Sequence, residues 1–156
     1  GHHDYIYYAD ALINTGKYDE AIASYKHIPE VDPENKDVNK YIAEAYSKAK
    51  KFNEAVASYE QYLKDKGEDV TYKEYDSFAD IYIEQADAAT SDAEKKEAFK
   101  KAEKTASDNN KLITAYNYLA VHYIQNDKVA EAKKYAEKLL ELSPENETGK
   151  QIMNLK

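Results

Sequence analysis

Residues 18–26 read YDEAIASYK, and residues 52–60 read FNEAVASYE. Five of the nine positions are identical, and most of the others exchange similar residues. The two segments begin 34 residues apart, and the same spacing relates Ala9 to Ala43. A similarity that returns at a fixed spacing of this length indicates an array of repeated units.

The composition favours a folded, helical chain. Of its 156 residues, 42% are hydrophobic and 33% are charged, a mix that is too apolar for a disordered tail. Long apolar runs are missing, so no membrane insertion is expected. Only four glycines and three prolines are present, while Ala, Glu and Lys, which favour helices, are abundant. The sequence therefore predicts an all-α, soluble domain.

Charge and cysteine content exclude several classes of function. A net charge of −8 repels phosphate backbones, so nucleic acid is not an expected partner. The absence of cysteine excludes disulfides, thiolate catalysis and cysteine-ligated metals. No targeting signal is recognisable, but the chain opens on Gly-His-His, which indicates a processed or engineered N-terminus. The cellular compartment therefore stays unassigned.

Four segments share one alanine in a first helix and one in a second helix. The first-helix column is Ala9, Ala43, Ala79 and Ala120, and the second-helix column is Ala21, Ala55, Ala98 and Ala132. Aromatic residues recur at a fixed distance from these alanines, as Tyr46, Tyr82 and Tyr123 do three residues after the first-helix alanine. Small residues let paired helices approach closely, and the aromatics fill the gaps between successive pairs. No single pair buries its apolar face, so stability requires stacking.

With this period and these columns, the chain resembles the tetratricopeptide repeat family over nearly its whole length. The resemblance implies an α-solenoid, a right-handed superhelix of antiparallel helix pairs that forms one domain over residues 1–156. We expect four repeats and a C-terminal cap, at about 2–35, 36–71, 72–112, 113–146 and 147–156. The predicted helices cover about 3–15, 18–30, 36–49, 52–65, 71–89, 92–107, 111–126, 129–142 and 146–155.

The third repeat departs from the pattern. Ala79 and Ala98 are 19 residues apart, whereas Ala9 and Ala21 are 12 apart, so seven residues are inserted. The insertion lies within QADAATSDAEKK, and we expect it to lengthen the first helix and to protrude. Thr90 or Ser91 is the predicted cap of the next helix. The residue in the turn between paired helices varies as well. The position of Gly16 in the first repeat is taken by Lys50 in the second and by Asp127 in the fourth.

Motifs for catalysis are missing, so an enzyme is not expected. The histidines do not occur in an HExxH spacing, and neither a GxSxG motif nor a phosphate-binding glycine loop is present. No cofactor or metal is therefore predicted. His122 takes the place of Ala11 and Ala45 in its column, which predicts a packed, hydrogen-bonded core histidine.

Tyrosines and carboxylates are the candidate partner-binding residues. Most of the 16 tyrosines occupy packing columns, but Tyr7, Tyr41 and Tyr118 share a column with Ser77 that faces the concave groove in this family. They either contact a partner or pack between neighbouring first helices. The acidic column of Asp10, Glu44 and Asp80 lies one turn further along and is either solvated or part of the groove.

If this face is the groove, it suits a basic or neutral peptide or protein segment, through charge-assisted bonds and cation–π contacts. The predicted groove residues are Tyr7, Asp10, Tyr41, Glu44, Asp76, Asp80, Asn117 and Tyr118. Family members that grip the C-terminal carboxylate of chaperones need a Lys and Asn clamp. Here Asp10 and Glu44 stand at clamp positions and would repel a carboxylate, so no such binding is expected. The alternative is a structural role, in which the lengthened third repeat mediates self-assembly into a homo-oligomer.

Overall fold

The computed structural model describes residues 2–156, with the side chain of His2 excepted, and it contains helices and no strand within that range. The chain divides into two compact units: unit 1 ends at Thr71, and unit 2 begins at Tyr72. Unit 1 contains α1 (His2–Asn14), α2 (Tyr18–Tyr25), α3 (Ile28–Val31), α4 (Val38–Lys48), α5 (Phe52–Lys66) and a 3-10 turn (Gly67–Asp69). Unit 2 contains α6 (Tyr72–Ala88), α7 (Asp92–Thr105), α8 (Asn109–Gln125), α9 (Val129–Leu142) and α10 (Glu147–Met153).

Unit 1 consists of two helical hairpins. Helix α1 pairs with α2, helix α4 pairs with α5, and α4 packs on α2. Ala9 and Ala21 are completely buried, which is what the close approach of α1 and α2 requires. Ile42 and Ala45 on α4 belong to the same hydrophobic cluster as these alanines. Each hairpin therefore covers an apolar face of the other, as stacked repeats do.

Unit 2 has the same plan with an additional C-terminal helix. Helix α6 pairs with α7, helix α8 pairs with α9, and α8 packs on α7. Helix α10 lies on α8 and α9, where Ile152 is buried in a cluster with Ala132 and Ala136. A Cβ atom at Gly149 would lie 2.9 Å from the Leu140 side chain, so glycine permits this close approach of α10 to α9. The predicted all-α solenoid is confirmed.

Three turns between paired helices are built in the same way. Gly16, Lys50 and Asp127 all have a positive φ, of 79°, 62° and 58° respectively. The residue after each of them donates its N–H to the carbonyl of Leu12, Tyr46 or Tyr123, at 2.8–2.9 Å. This is the Schellman ending of a helix, which satisfies terminal carbonyl groups and favours glycine. The repeat thus keeps its turn geometry even where the glycine has been replaced.

The helix predicted at 18–30 is divided in the structure. Helix α2 ends at Tyr25, and Pro29 lies in the first turn of the short helix α3. Proline has no N–H to donate to the carbonyl four residues earlier, which is that of Tyr25, and its ring clashes with that carbonyl. Pro29 therefore ends the first helix four residues before itself and begins the next one.

The insertion in the third repeat lengthens a helix as expected. Helix α6 continues nine residues past Ala79, from 79 to 88, whereas α4 continues five residues past Ala43, from 43 to 48. Ser91 caps α7 by accepting a hydrogen bond of 3.1 Å from the Glu94 N–H, which confirms one of the two predicted caps. Lys95 folds back to donate to the Ala86 carbonyl at 3.1 Å, so the connection is fastened to the helix before it.

Candidate protein-binding surface

In unit 1, two predicted groove residues are joined through a tyrosine of α2. The Tyr25 hydroxyl donates to Asp10 Oδ1 at 2.8 Å. The Tyr25 ring stacks on the Tyr41 ring, with centroids 5.5 Å apart and planes inclined by 30°. Helices α1, α2 and α4 therefore bring a carboxylate and two phenol rings together. The sequence did not identify Tyr25 as part of this group, because it occupies a packing column.

The electrostatics of this group are dominated by carboxylates. Burial raises the pKa of Tyr25, and the hydrogen bond to Asp10 and the charges of Asp10 and Glu44 raise it further. Burial also raises the pKa of Tyr41, followed by the charges of Asp37, Glu44 and Asp10. A phenol resists ionisation where the surroundings are already negative. We call Asp10, Tyr25, Asp37, Tyr41 and Glu44 the acidic tyrosine surface.

Two of the three tyrosines in the tyrosine column pack on the second helix of the preceding hairpin. Tyr41 stacks on Tyr25, as described above, and Tyr118 stacks on Phe99 of α7, with ring centroids 4.6 Å apart. Both are half-buried, whereas Tyr7 of the same column is 83% exposed. The aromatic partners Tyr25 and Phe99 come from second helices, whereas the predicted alternative to partner contact was packing between neighbouring first helices.

In unit 2, the carboxylate of Asp76 holds the connection between α7 and α8. Its Oδ1 atom accepts hydrogen bonds from the backbone N–H groups of Ser107 and Asp108, the latter at 2.9 Å. Asp108 in turn caps α8 by accepting from the N–H groups of Asn110 and Lys111. Asp76 therefore positions the start of α8.

Asp80 and Asn117 also have partners within unit 2. The Lys111 ammonium lies 2.9 Å from Asp80 Oδ1, and this hydrogen bond is the main reason why the pKa of Lys111 is raised. Asn117 Oδ1 receives a long contact of 3.5 Å from Asn146 Nδ2, at the start of α10. These two predicted groove residues thus connect α6 to α8 and α8 to α10.

Tyr118 and His122 both face Asp92, which comes from the insertion. The Tyr118 hydroxyl donates to the Asp92 carboxylate, and His122 Nδ1 lies against the same carboxylate. These interactions lower the pKa of Asp92, and the hydrogen bond from Tyr118 is the largest cause. His122 is buried, as predicted for a core histidine. Asp92 was missed, because a repeat pattern carries no signal for residues inside an insertion.

The described residues form neither a metal-binding cluster nor a membrane-spanning helix. Within residues 2–156, no group of three or more His, Asp and Glu side chains is arranged to hold a metal ion. No helix in that range combines the length and the apolar character that crossing a bilayer requires.

Comparisons with known proteins agree with this architecture. No curated protein sequence matches the chain. Among solved structures, the MamA protein is 18% identical and superposes with a TM-score of 0.56, covering 97% of this chain and 78% of that one. MamA residues 41-end from Desulfovibrio magneticus RS-1 are 12% identical, with a TM-score of 0.54 and coverage of 93% and 77%.

A third structure is the C-terminal part of a TPR repeat-containing protein from Cytophaga hutchinsonii. It is 20% identical, with a TM-score of 0.52, and the match covers 99% of this chain and 74% of that one. At such identities the likeness concerns the fold. The family model for the tetratricopeptide repeat matches residues 12–74, and a second model for the same repeat matches residues 113–146. The chain belongs to the tetratricopeptide repeat family.

Proposed function

We propose that this protein binds a basic segment of a partner protein at the acidic tyrosine surface of unit 1, and that it has no catalytic role. The repeats support a protein-interaction scaffold in general, since tetratricopeptide repeats are typically interaction modules. We also propose the division into four repeats at about 2–35, 36–71, 72–112 and 113–146, with 147–156 as the cap. The matching turns at Gly16, Lys50 and Asp127 support that division.

The observation that carries the proposal is the concentration of carboxylates around two tyrosines. Asp10, Asp37 and Glu44 all raise the pKa of Tyr41, so a negative potential surrounds its ring. A lysine or arginine side chain would gain from the carboxylates and from a cation–π contact with a tyrosine face. An incoming carboxylate would be repelled, which argues against binding of an acidic C-terminal tail.

The predicted groove residues of unit 2 receive a different role in this proposal. Asp76, Asp80, Asn117 and Tyr118 contact backbone or side-chain groups of unit 2 itself. The charge of Asp80 is compensated by the Lys111 ammonium and Asp76 Oδ1 accepts from two backbone N–H groups, whereas Asp10 accepts from the neutral Tyr25 hydroxyl. We therefore assign these four residues to positioning α6, α7, α8 and α10.

An array of short synthetic peptides tests the proposal. The peptides should differ in charge, from Lys- and Arg-rich to acidic, and should include free acidic C-termini. We expect basic peptides to bind and Glu44→Lys to weaken that binding about tenfold or more, since it removes one attraction and adds a repulsion. Glu60→Lys is the matched control, because Glu60 is exposed on α5, the second helix of the same hairpin. Equal binding by both variants would disprove the proposed surface.

Self-assembly through the lengthened third repeat is less well supported. The insertion was expected to protrude and dock a second copy. Instead Asp92 contacts Tyr118 and His122 of the same unit, and Lys95 contacts the carbonyl of Ala86. Side chains that already bind groups of their own unit are less available to contact another copy of the chain.

A further inference from the structure

The residue one turn after the column tyrosine differs between the two units. Tyr41 on α4 is followed at this position by Ala45, which is completely buried and has no polar group in its side chain. Tyr118 on α8 is followed by His122, which is also buried, at 8% exposure. A buried polar side chain costs free energy unless it is hydrogen-bonded, so the need to pack α8 does not by itself explain a histidine here.

Tyr118 and His122 present two hydrogen-bond donors on one face of α8. Residues four positions apart in a helix lie on the same face, one above the other. The Tyr118 hydroxyl donates to Oδ1 of Asp92, and His122 Nδ1 lies against Oδ2 of the same carboxylate. Because a carboxylate oxygen only accepts hydrogen bonds, Nδ1 is the ring nitrogen that carries a proton. Each oxygen of one carboxylate therefore meets a donor of its own.

The surrounding rings hold both donors in place. The Tyr118 ring stacks on Phe99 with centroids 4.6 Å apart, and it lies over the His122 imidazole at 6.1 Å with planes inclined by 19°. On its other side the imidazole meets Tyr123 edge to face, at 5.1 Å between centroids. Neither donor turns away without breaking these contacts, so the site is preorganised for a carboxylate.

The carboxylate that fills this site comes from outside the repeat pattern. Asp92 belongs to the insertion, is the first residue of α7, and has a side chain that is 49% exposed. The hydrogen bond from Tyr118 is the largest cause that lowers the pKa of Asp92, and His122 lowers it further. The site thus favours the anion over the neutral acid. Since half of the Asp92 side chain is exposed, a group of similar size reaches the same donors from solvent.

We propose that Tyr118 and His122 form a carboxylate-binding site of unit 2, which the chain fills with its own Asp92 and which takes an acidic side chain of a partner protein when that side chain displaces Asp92. Asp92 acts as a tethered ligand, and its attachment gives it a high effective concentration. The insertion therefore keeps this site closed to weak acidic ligands. The acidic tyrosine surface takes a basic segment and belongs to unit 1, so either site can fail without the other.

Formate is the probe, because it supplies the carboxylate that Asp92→Ala removes. We expect formate to shift the imidazole signals of His122 and the ring signals of Tyr118 in an NMR titration of Asp92→Ala. The affinity should be about millimolar or weaker, as it is for so small a ligand. Adding Tyr118→Phe to this variant should weaken formate binding about fivefold or more, because a hydrogen bond is lost while the ring remains.

Two controls match this titration. Chloride at the same ionic strength should leave these signals of Asp92→Ala unchanged. Glu94→Ala removes an exposed carboxylate from the same helix, and formate should not shift the His122 signals there because Asp92 still fills the site. Equal shifts in Asp92→Ala and Glu94→Ala, or no effect of formate beyond that of chloride, would overturn the proposal. If Asp92→Ala is unfolded in buffer, formate but not chloride should restore its helical circular dichroism, and a failure to do so would count equally against the site.

Three Gly-Ser peptides of equal length test the partner. The first has an internal Glu and an amidated C-terminus, the second has Gln and a free C-terminus, and the third has Gln and an amidated C-terminus. We expect Asp92→Ala to bind the first about tenfold more tightly than the third, through charge-assisted hydrogen bonds. The unchanged chain should bind the first about tenfold more weakly than Asp92→Ala does, because Asp92 competes. Preference for the second peptide would contradict recognition of a side chain, and equal binding of the first and third would refute a carboxylate site.

Discussion

Lys50 and Asp127 adopt a backbone conformation that L-amino acids with a Cβ atom avoid. Their φ angles are 62° and 58°, close to the 79° of Gly16 at the same turn of the first repeat. A left-handed residue other than glycine costs about 1 kcal/mol. The turn is retained because the carbonyl groups at the end of each helix need the N–H groups that this geometry supplies.

Replacing Lys50 by glycine should therefore stabilise the protein by about 0.5–1 kcal/mol, because glycine removes the strain at a positive φ. Urea denaturation at neutral pH measures the free energy of unfolding. Ala57→Gly is the control, because Ala57 is exposed in the interior of α5 and glycine there should cost about 1 kcal/mol. If both variants lose stability, strain at this turn is not significant.

Asp92 gives the fold a pH dependence at the acidic end. Its pKa is lowered, first by the hydrogen bond from Tyr118 and then through His122, so the folded state prefers the ionised carboxylate. The associated stability is present above the pKa of the unfolded chain, about 4. It is lost as the pH falls through the lower pKa of the folded state.

We expect Asp92→Asn to lower the free energy of unfolding at pH 7 by about 1 kcal/mol. This is less than a fully buried charged hydrogen bond contributes, because solvent screens the half-exposed carboxylate. The difference between Asp92→Asn and the unchanged chain should shrink at about pH 3, because the carboxyl of the unfolded chain is then mostly protonated and the folded chain must hold its own ionised. Urea denaturation of both proteins at the two pH values measures this difference in the free energy of unfolding. A difference that stays constant would mean that the charge of Asp92 contributes nothing.

Burial was easier to predict from the sequence than the side-chain contacts that the buried residues make. The burial of His122 followed from its alignment with Ala11 and Ala45. Its neighbour Asp92 lies in an insertion, where no column assigns a position. Similarly, the sequence placed Tyr41 and Tyr118 on one face, but stacking on Tyr25 and Phe99 depends on how successive hairpins pack.

At the scale of helices, the Asp76 carboxylate fixes the connection between α7 and α8. Asp76 on α6 accepts from the N–H groups of Ser107 and Asp108, where the chain passes from α7 to α8. Asp76→Ala should cost about 1 kcal/mol, as the loss of a helix cap does, and should speed the hydrogen exchange of these two amides. Asp87→Ala, at an exposed position of the same helix, should change neither quantity. Unchanged exchange in Asp76→Ala would show that water replaces the carboxylate without cost.

The limits of the helices were largely predictable, and the exception has a local cause. Periodic alanines and aromatics placed the helix pairs, and Ser91 was recognisable as a cap. The ending of α2 at Tyr25 depends on Pro29, whose effect reaches four residues back through a missing N–H group. The expected groove was less predictable, because a pattern of exposed carboxylates does not reveal that Asp76 and Asp80 bind groups of their own unit.

For the whole molecule, charge sets the conditions under which a basic partner is bound. The net charge of −8 attracts such a partner from a distance, in addition to the local carboxylates. Raising NaCl from about 0.1 M to about 1 M shortens the screening length from about 10 Å to about 3 Å. We expect the affinity for a basic peptide to fall about tenfold or more, measured by fluorescence anisotropy. An affinity that does not depend on salt would indicate apolar recognition instead.

Sedimentation at a series of protein concentrations tests the alternative function, self-assembly. We expect sedimentation velocity to give a monomer at all concentrations, because the charged side chains of the insertion are used within unit 2. A dimer that forms with rising concentration and is lost in a variant of the exposed Thr90 would favour assembly through the third repeat.

The most direct test of the proposed function locates the bound peptide on the chain. A basic peptide from the array, titrated into the isotopically labelled protein, should shift amide signals of α1 and α4 around Asp10, Tyr41 and Glu44. These shifts should disappear in Glu44→Lys and persist in Glu60→Lys. Shifts confined to α5, α7 or α9, or equal binding of a peptide with an acidic C-terminus, would contradict recognition of a basic segment at the acidic tyrosine surface.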